Sequence, residues 1–349
     1  MPDLQISKER SARRQARRIG LIYSTCQEPG YTRQRKGKTF TYHTASGKRI
    51  RGKRVLARLE NLVIPPAWRD VWICRSSRGH LQATGIDDRN RKQYLYHPKW
   101  SEASNGRKFS DLLEFGKSLP ALRMRVEKDL RRRSLTKTKI AALMVALIDE
   151  TLIRVGNEEY ARENRSFGLT TLRKSHVRVG KHQVVFRFRG KSGIPHEVTV
   201  VKAHLVRSLK ECARTPGSML FRYPDAEGRY HTIRSNQVND YLRSSVGSFT
   251  AKDFRTWKAS AIAAEFLAKN QNHSSESEDK KLCLKALDVA AESLRNTRTV
   301  CRKHYVHPYL IEAFTDPAKQ SLWTRSRSGS KSLGRSEALL MRLLKHASD

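Results

Sequence analysis

Acidic residues are scarce in this chain. Against 70 Lys and Arg there are only 33 Asp and Glu among 349 residues, a formal charge of +37. So large an excess pushes a compact fold apart unless a polyanion neutralises it. It also far exceeds the charge of about 2–8 that keeps a small domain soluble. Nucleic acid is therefore the expected partner, because each phosphate contact releases counterions. Cysteine is sparse too: Cys26, Cys74, Cys212, Cys283 and Cys301 are odd in number and widely scattered. That excludes a disulfide framework and suits a reducing compartment. No apolar run approaches the roughly 20 residues of a membrane span. The Arg-rich residues 1–19 lack the apolar stretch of a secretory leader, and Asp3 and Glu9 count against a transit peptide. A soluble, intracellular protein without membrane contact is expected.

What is present divides into two modules. The first 20 residues, with "SKERSARRQARR", read as a basic arm, disordered or weakly helical. "KTFTYHTASGKRI" (38–50) has strand–turn–strand character, and "LVIPPAW" (62–68) is an apolar run stopped by two prolines. "DVWICRSSRGHLQATGID" (70–87) predicts two more strands around a turn near Arg78-Gly79. A β-rich module over residues 1–104 follows, ending in the polar stretch "KWSEASNGRKF" (99–109), which reads as a linker.

Beyond it the period changes to that of helices. In "KTKIAALMVALIDETLIRVGN", Ile140, Leu143, Met144, Leu147 and Ile148 share one face, and Gly156 is placed to end the helix. "HQVVFRFRGKSGIPHEVTV" (182–200) predicts a hairpin turning at Gly190–Gly193. "FTAKDFRTWKASAIAAEFLAKN" (249–270) predicts a helix capped by Thr250, with Ala259, Ile262, Ala263, Phe266 and Leu267 on one face. A helix at 282–294, a flexible basic tail from about 324 and a short amphipathic helix at 337–345 complete the second module, 105–349. The fold class expected is α+β, a two-lobed clamp with a β-rich N-terminal domain and a mainly helical second domain carrying a small hairpin or sheet.

One tyrosine stands out. In "SLRNTRTVCRKHYVHP", Ser293 to Pro308, Tyr305 follows Arg295, Arg298, Arg302 and Lys303. It reads either as a core aromatic on a basic helix or as a nucleophile whose target is a phosphate. Taken singly, Arg154 after an apolar helix suits the negative end of the helix dipole, and Lys191 in a hairpin turn is ordinarily a solvated residue. Arg255 early in a helix asks for a compensating anion. Cys301-x-x-His304-x-x-His307 has metal-like spacing, but no second Cys/His pair lies near it in the sequence.

In order along the chain, "LIDETLIRVGNEEYARENRSFGLTTLR", "FRGKSGIPHEV", "KDFRTW" and "NTRTVCRKHYVHP" resemble the catalytic blocks of the type IB DNA topoisomerases. "IPPAWRDVWICRSSRGHLQATGIDDRNRKQYLYH" resembles the DNA-clamping domain of their compact poxvirus and bacterial members, and the likeness spans roughly residues 38–314. The resemblance implies Tyr305 as nucleophile, Arg154 and Arg255 as phosphate-clamping arginines and Lys191 as general acid. Asn296 occupies a position that is histidine in poxvirus and eukaryotic members and asparagine in bacterial ones. Tyr160 matches a phosphate-contacting tyrosine. Arg91, Lys92, Gln93, Tyr94 and Tyr96 in "RKQYLYH", together with Lys252, are the further expected DNA contacts.

The chemistry suits that resemblance. A phenol near pKa 10 is a poor nucleophile at neutral pH, and fixed cations favour its phenolate and neutralise a pentacoordinate phosphorus. Arginines fork onto phosphate oxygens as lysine cannot. Protein cations then replace a metal, and a phosphotyrosine conserves the bond energy, so no cofactor, metal or ATP is expected. The expected partner is double-stranded DNA, the expected state a monomer, and the expected location a bacterial cytoplasm, on the nucleoid. Two rivals remain: a tyrosine recombinase, which carries His-x-x-Arg where this chain has Lys252-x-x-Arg255, and a non-enzymatic basic nucleic-acid-binding protein.

Overall fold

A computed structural model describes residues 2–37, 39–88, 90–271, 275–323 and 333–347. The chain divides into two compact units, Met1–Lys108 and Phe109–Asp349. Among the described residues no helix is long and apolar enough to cross a membrane.

The first unit opens with helix α1 (Pro2–Arg18), so the basic arm is folded over most of its length. Strands β1 (Tyr31–Lys36) and β2 (Thr39–His43), helix α2 (Lys53–Asn61) and strands β3 (Arg69–Ile73), β4 (Leu81–Ile86) and β5 (Lys92–Tyr96) follow. The strands form one antiparallel sheet in the order β2-β1-β3-β4-β5. Only half of the hairpin expected at 38–50 is strand: β2 pairs backwards with β1, and the return segment makes a single bridge, His43 to Arg49. Tyr42, Leu59, Ile64, Val71, Ile73 and Ala83 form this unit's small core. The proline-stopped run is held by Arg33 of β1, which donates to the carbonyls of Ile64 (2.7 Å), Pro65 (2.7 Å) and Trp68 (3.0 Å). Where a linker was expected, Pro98–Ser110 is helix α3, and the unit boundary falls inside it. Its Ser, Asn and Gly are individually weak helix formers, yet no proline interrupts them.

The second unit is mainly helical: α4 (Leu112–Leu130), α5 (Lys137–Thr151), α6 (Glu158–Asn164), α7 (Ala203–Ala213), α8 (Ser235–Val246), α9 (Ala251–Lys269), α10 (Glu276–Leu294), α11 (Arg298–His304), α12 (Pro308–Thr315) and α13 (Arg335–His346). Between α6 and α7 lies an antiparallel sheet of β6 (Val177–Val179), β7 (Val184–Arg189) and β8 (Pro195–Val200). A two-stranded ribbon, β9 (Arg222–Pro224) with β10 (Tyr230–Thr232), precedes α8. The predicted hairpin at 182–200 is β7–β8, turning at 190–194.

Two helices organise this unit. α9 starts where the sequence places it: Thr250 caps it, and Asp253 accepts a hydrogen bond of 2.7 Å from the Thr250 amide. Its buried side is broader than the predicted face. Ala251, Phe254, Arg255, Trp257, Ser260, Ala261 and Ala264 are buried along with Ala259, Ala263 and Leu267, whereas Ile262 and Phe266 are only half-buried. Small side chains allow close approach on most sides, which makes α9 an interior helix. α5 is likewise buried through Lys139–Val145 and again at Leu147 and Ile148. It does not run on to Gly156 but stops at Thr151, with Leu152 in the left-handed region at φ 58°. A leucine there is strained by about 1–2 kcal/mol, so something must hold it. The tail from residue 324 falls mostly outside the described residues; α13 follows it and packs on α9 and α4.

Candidate active site

Arg255 lies in the first turns of α9 and is only 4% exposed. The anion its position asks for in the sequence is replaced by two helix C-termini. Its Nη1 donates to the carbonyl of Leu152, the left-handed cap of α5, and its Nη2 donates to the carbonyl of Leu294, the last residue of α10, at 2.8 Å. Terminal carbonyls have no intrahelical partners and carry the negative end of the dipole, so one guanidinium caps two helices. Burial first, and then the neighbouring charge of Arg154, pull Arg255 down to about 10, still protonated at neutral pH.

Past its left-handed cap the chain delivers Arg154, whose Nη2 donates to Asn296 Oδ1 at 3.2 Å. Asn296 follows the end of α10, where Arg295 adopts φ 50° and closes the helix by donating its backbone amide to the carbonyls of Ala291 and Glu292. Thr297 then caps α11, accepting from the Val300 amide at 3.3 Å, and Tyr305 ends that helix. Arg255 Cζ sits 5.5 Å from the Tyr305 ring centroid. Burial alone would push the Tyr305 phenol up. The charges of Arg255 and Arg154, a hydrogen bond with Arg255 and the charge of Lys252 reverse this, leaving it below its ordinary value. Two buried donors here, Arg255 Nε and Asn296 Nδ2, meet no acceptor among the described residues. An unmatched buried donor costs about 1–3 kcal/mol, which is unusual enough to require a reason.

Four residues singled out in the sequence, Arg154, Arg255, Asn296 and Tyr305, are thus brought together, and Lys252 joins them through its charge. Lys191 sits on the exposed β7–β8 turn, and no hydrogen bond among the described residues involves it. Tyr160 belongs to α6 by its backbone, and its side chain lies outside the described residues. The cations that crowd Tyr305 in sequence are not the ones that act on it: Arg298 is held by Asp288 at 2.5 and 2.6 Å, and Arg302 and Lys303 are exposed. Cys301 is a core thiol, fully buried and pushed up to about 11 by that burial. His307 Nδ1 accepts from the Tyr309 amide at 3.2 Å, and no cluster of three or more His, Cys, Asp or Glu among the described residues is arranged to hold a metal.

β5 is an edge strand whose exposure alternates. Lys92, Tyr94 and Tyr96 form its outward row, with the two tyrosine rings stacked at 6.2 Å. Arg91 and Gln93 turn instead to Asp87, at 2.8 Å each. The five expected contacts are therefore sorted into three exposed residues and two that brace the strand.

Two residues, Ser260 and His196, escaped the sequence reading, as did the role of Arg295. Ser260, fully buried on α9, donates to the Tyr305 carbonyl (3.1 Å) and accepts from the His307 amide (3.0 Å), fixing the backbone on both sides of Val306. A serine inside an otherwise apolar helix face was the available signal. Arg295 and His196 join the β7–β8 hairpin to the site, and nothing local in sequence marks them. Beside them lies a cavity of about 1110 Å³ lined by Arg162, Arg165, Arg173, Arg187, Arg189 and Arg295. Its one lining carboxylate, Glu197, is already taken by Arg187 at 2.9 Å.

An α+β fold with a tyrosine whose titration two neighbouring arginine charges lower, together with an arginine-lined cavity, defines a protein built to handle phosphates. Residues 97–328 match the family model described as eukaryotic DNA topoisomerase I, catalytic core, and residues 39–87 match bacterial DNA topoisomerase IB, N-terminal domain. The chain is 31% identical to the DNA topoisomerase 1B of Acanthamoeba polyphaga mimivirus, over 82% of its own length and 87% of the viral protein. It is 22% identical to the DNA topoisomerase 1B of vaccinia virus (strain Copenhagen), over 74% and 81% of the two chains. Against DNA topoisomerase 1 of Schizosaccharomyces pombe it is 29% identical over 62% of this chain and 26% of the yeast protein. The chain belongs to the type IB DNA topoisomerases: it is an isomerase that acts on DNA.

Proposed function

We propose that the protein relaxes positive and negative supercoils in double-stranded DNA through a transient 3′-phosphotyrosine on Tyr305. The observation that carries this is the pair of buried donors, Arg255 Nε and Asn296 Nδ2, unmatched beside a phenol whose titration the neighbouring arginines lower. Nonbridging phosphate oxygens are the acceptors that such donors require. The Tyr305 phenol loses its proton to water, and its oxygen attacks phosphorus. The bond to the 5′-oxygen breaks, and that oxygen leaves as a hydroxyl with a proton from Lys191. Arg154 and Arg255 neutralise the charge on the pentacoordinate phosphorus. Asn296 donates a hydrogen bond but adds no charge. Once torsion has dropped, the 5′-hydroxyl attacks the phosphorus and returns its proton to Lys191. The bond from phosphorus to the Tyr305 oxygen breaks, the phenolate leaves and regains a proton from water, and the strand is resealed.

Both units contribute DNA contacts in this reading: Lys92, Tyr94 and Tyr96 from β5 in one, Tyr160 and Lys252 in the other. The proposed acting species is a monomer. The bacterial-type N-terminal match and asparagine at position 296 favour a bacterial source and hence a cytoplasmic, nucleoid-bound enzyme.

The test is relaxation of negatively and positively supercoiled plasmid in EDTA without ATP, with wild type beside Tyr305→Phe. Wild type should relax both and the variant neither, with the variant still binding DNA. Relaxation by Tyr305→Phe would remove the tyrosine from the mechanism.

A further inference from the structure

Arg295 is out of place by backbone criteria. It holds φ 50° and ψ 56° at the end of α10, a left-handed position that glycine would occupy without strain. Its side chain shows what holds it there. Nη1 donates to the Pro195 carbonyl at 2.8 Å and Nη2 to the Glu197 carbonyl at 2.9 Å, so the guanidinium fork grips the start of β8 on either side of His196. The His196 ring is buried and stacks on Phe188 of β7, with centroids 4.8 Å apart and planes 16° apart. It also lies so close to Gly190 that a Cβ there would collide with it. Gly190 in turn closes the turn by donating to Ile194 O at 2.8 Å, and the residue after it is Lys191. A continuous chain of contacts thus runs from Arg295 through β8 and His196 to the base of the Lys191 turn. On its other side Arg295 is bonded directly to Asn296, whose side chain accepts from Arg154.

We infer that Arg295 is a positioning residue that fixes the Lys191 turn relative to the Arg154–Asn296 clamp, and so governs proton delivery to the leaving 5′-oxygen. The inference rests on the reading of Lys191 as general acid. Two physical features support it. Lys191 itself makes no hydrogen bond among the described residues that could aim it, so its aim comes from the base of the turn, where Gly190 donates to Ile194 O. Lysine at 295 does not reproduce the fork, because its single nitrogen lacks the two separate, preoriented donor nitrogens that reach the two carbonyls. Displacing a reacting group by about 1 Å can slow a step by about 100-fold.

The test is single-turnover cleavage of a short duplex at saturating enzyme, with oxygen or sulfur at the bridging 5′ position. A thiol with pKa near 8.5 leaves as thiolate and needs no proton, so defects in proton delivery vanish on the sulfur substrate while other defects remain. Arg295→Gly is the chosen variant because it removes the fork and also relieves the backbone, so the fold is retained. It should slow cleavage of the oxygen substrate by about 10- to 100-fold and of the sulfur substrate by less than about threefold. Arg295→Lys should behave similarly. Lys191→Ala should show the same selective rescue with a larger loss, and Arg255→Ala should be slow on both substrates. Equal slowing of the two substrates by Arg295→Gly, or no slowing of either, with Lys191→Ala still rescued, overturns the role of Arg295 alone. Lys191→Ala slow on both substrates removes the general acid itself, and the inference with it.

Discussion

Replacing Arg255 by lysine separates two roles that the structure assigns to one side chain. The guanidinium donates to the Leu152 and Leu294 carbonyls, each at a helix C-terminus, from a site that is 4% exposed. Hydrogen bonds to a charged group contribute about 1.5–3 kcal/mol each. A lysine ammonium reaches one carbonyl at most and leaves the other buried and unmatched. The left-handed Leu152 also loses the contact that holds it. The sum is a loss of about 2–4 kcal/mol, which for a unit of this size lowers Tm by about 5–15 °C. Arg154→Lys gives the contrast: it loses one hydrogen bond of 3.2 Å from a half-buried side chain, for less than about 1 kcal/mol and a Tm change within about 4 °C. Differential scanning calorimetry of the second unit's transition reads the difference, and plasmid relaxation should fall sharply in both variants. If Arg255→Lys melts within about 2 °C of wild type, the capping role is wrong, whatever happens to activity.

Three further outcomes are expected. Glu337, buried between Arg123 at 2.8 Å and Lys258 at 2.7 Å, is held at about 2 because those partners outweigh burial. With its folded value depressed, its stabilisation of about 3 kcal/mol is complete above the unfolded value near 4.3 and is lost as pH falls toward 2. Glu337→Gln should therefore lower Tm at pH 7 yet show a flatter melting profile below pH 5, and an unchanged acid profile would refute the assignment. The rate of DNA cleavage should rise with pH and level off below pH 10, since the Tyr305 phenol titrates below its ordinary value; Arg154→Ala should move that plateau upward in pH, and an unshifted profile would show that Arg154 does not act on the phenol. Alanine at Arg162, Arg165 and Arg173 together should reduce the slope of log affinity against log salt by about 3, measured with a linear duplex; an unchanged slope would place the DNA elsewhere.

Much of this was legible in the sequence because the signals are local. The β7–β8 hairpin, strands β3 and β4 and the Thr250 cap of α9 follow from alternation, turn glycines and capping chemistry. β1 was not legible: "YTRQRK" has no apolar alternation, and it is strand because β2 and β3 pair on its two edges. The stop of α5 at Leu152 was hidden for a similar reason, since the carbonyl that needs capping is capped from 103 residues away by Arg255. The four clustered site residues were found through their order along the chain. Ser260, and the grip of Arg295 on β8, were missed because each acts on distant backbone atoms, an effect with no sequence period.

The Ser260 hydroxyl bridges the carbonyl of Tyr305 and the amide of His307, so the peptide on each side of Val306 is fastened to the interior helix α9. In the reaction proposed above, a DNA strand esterified to Tyr305 inherits that anchorage. Its 3′ end is then a stationary pivot, with no freedom to swing on a mobile loop, and unwinding is left to the 5′ side of the break. Each turn ends where it began, with the free hydroxyl meeting a phosphorus that has not moved.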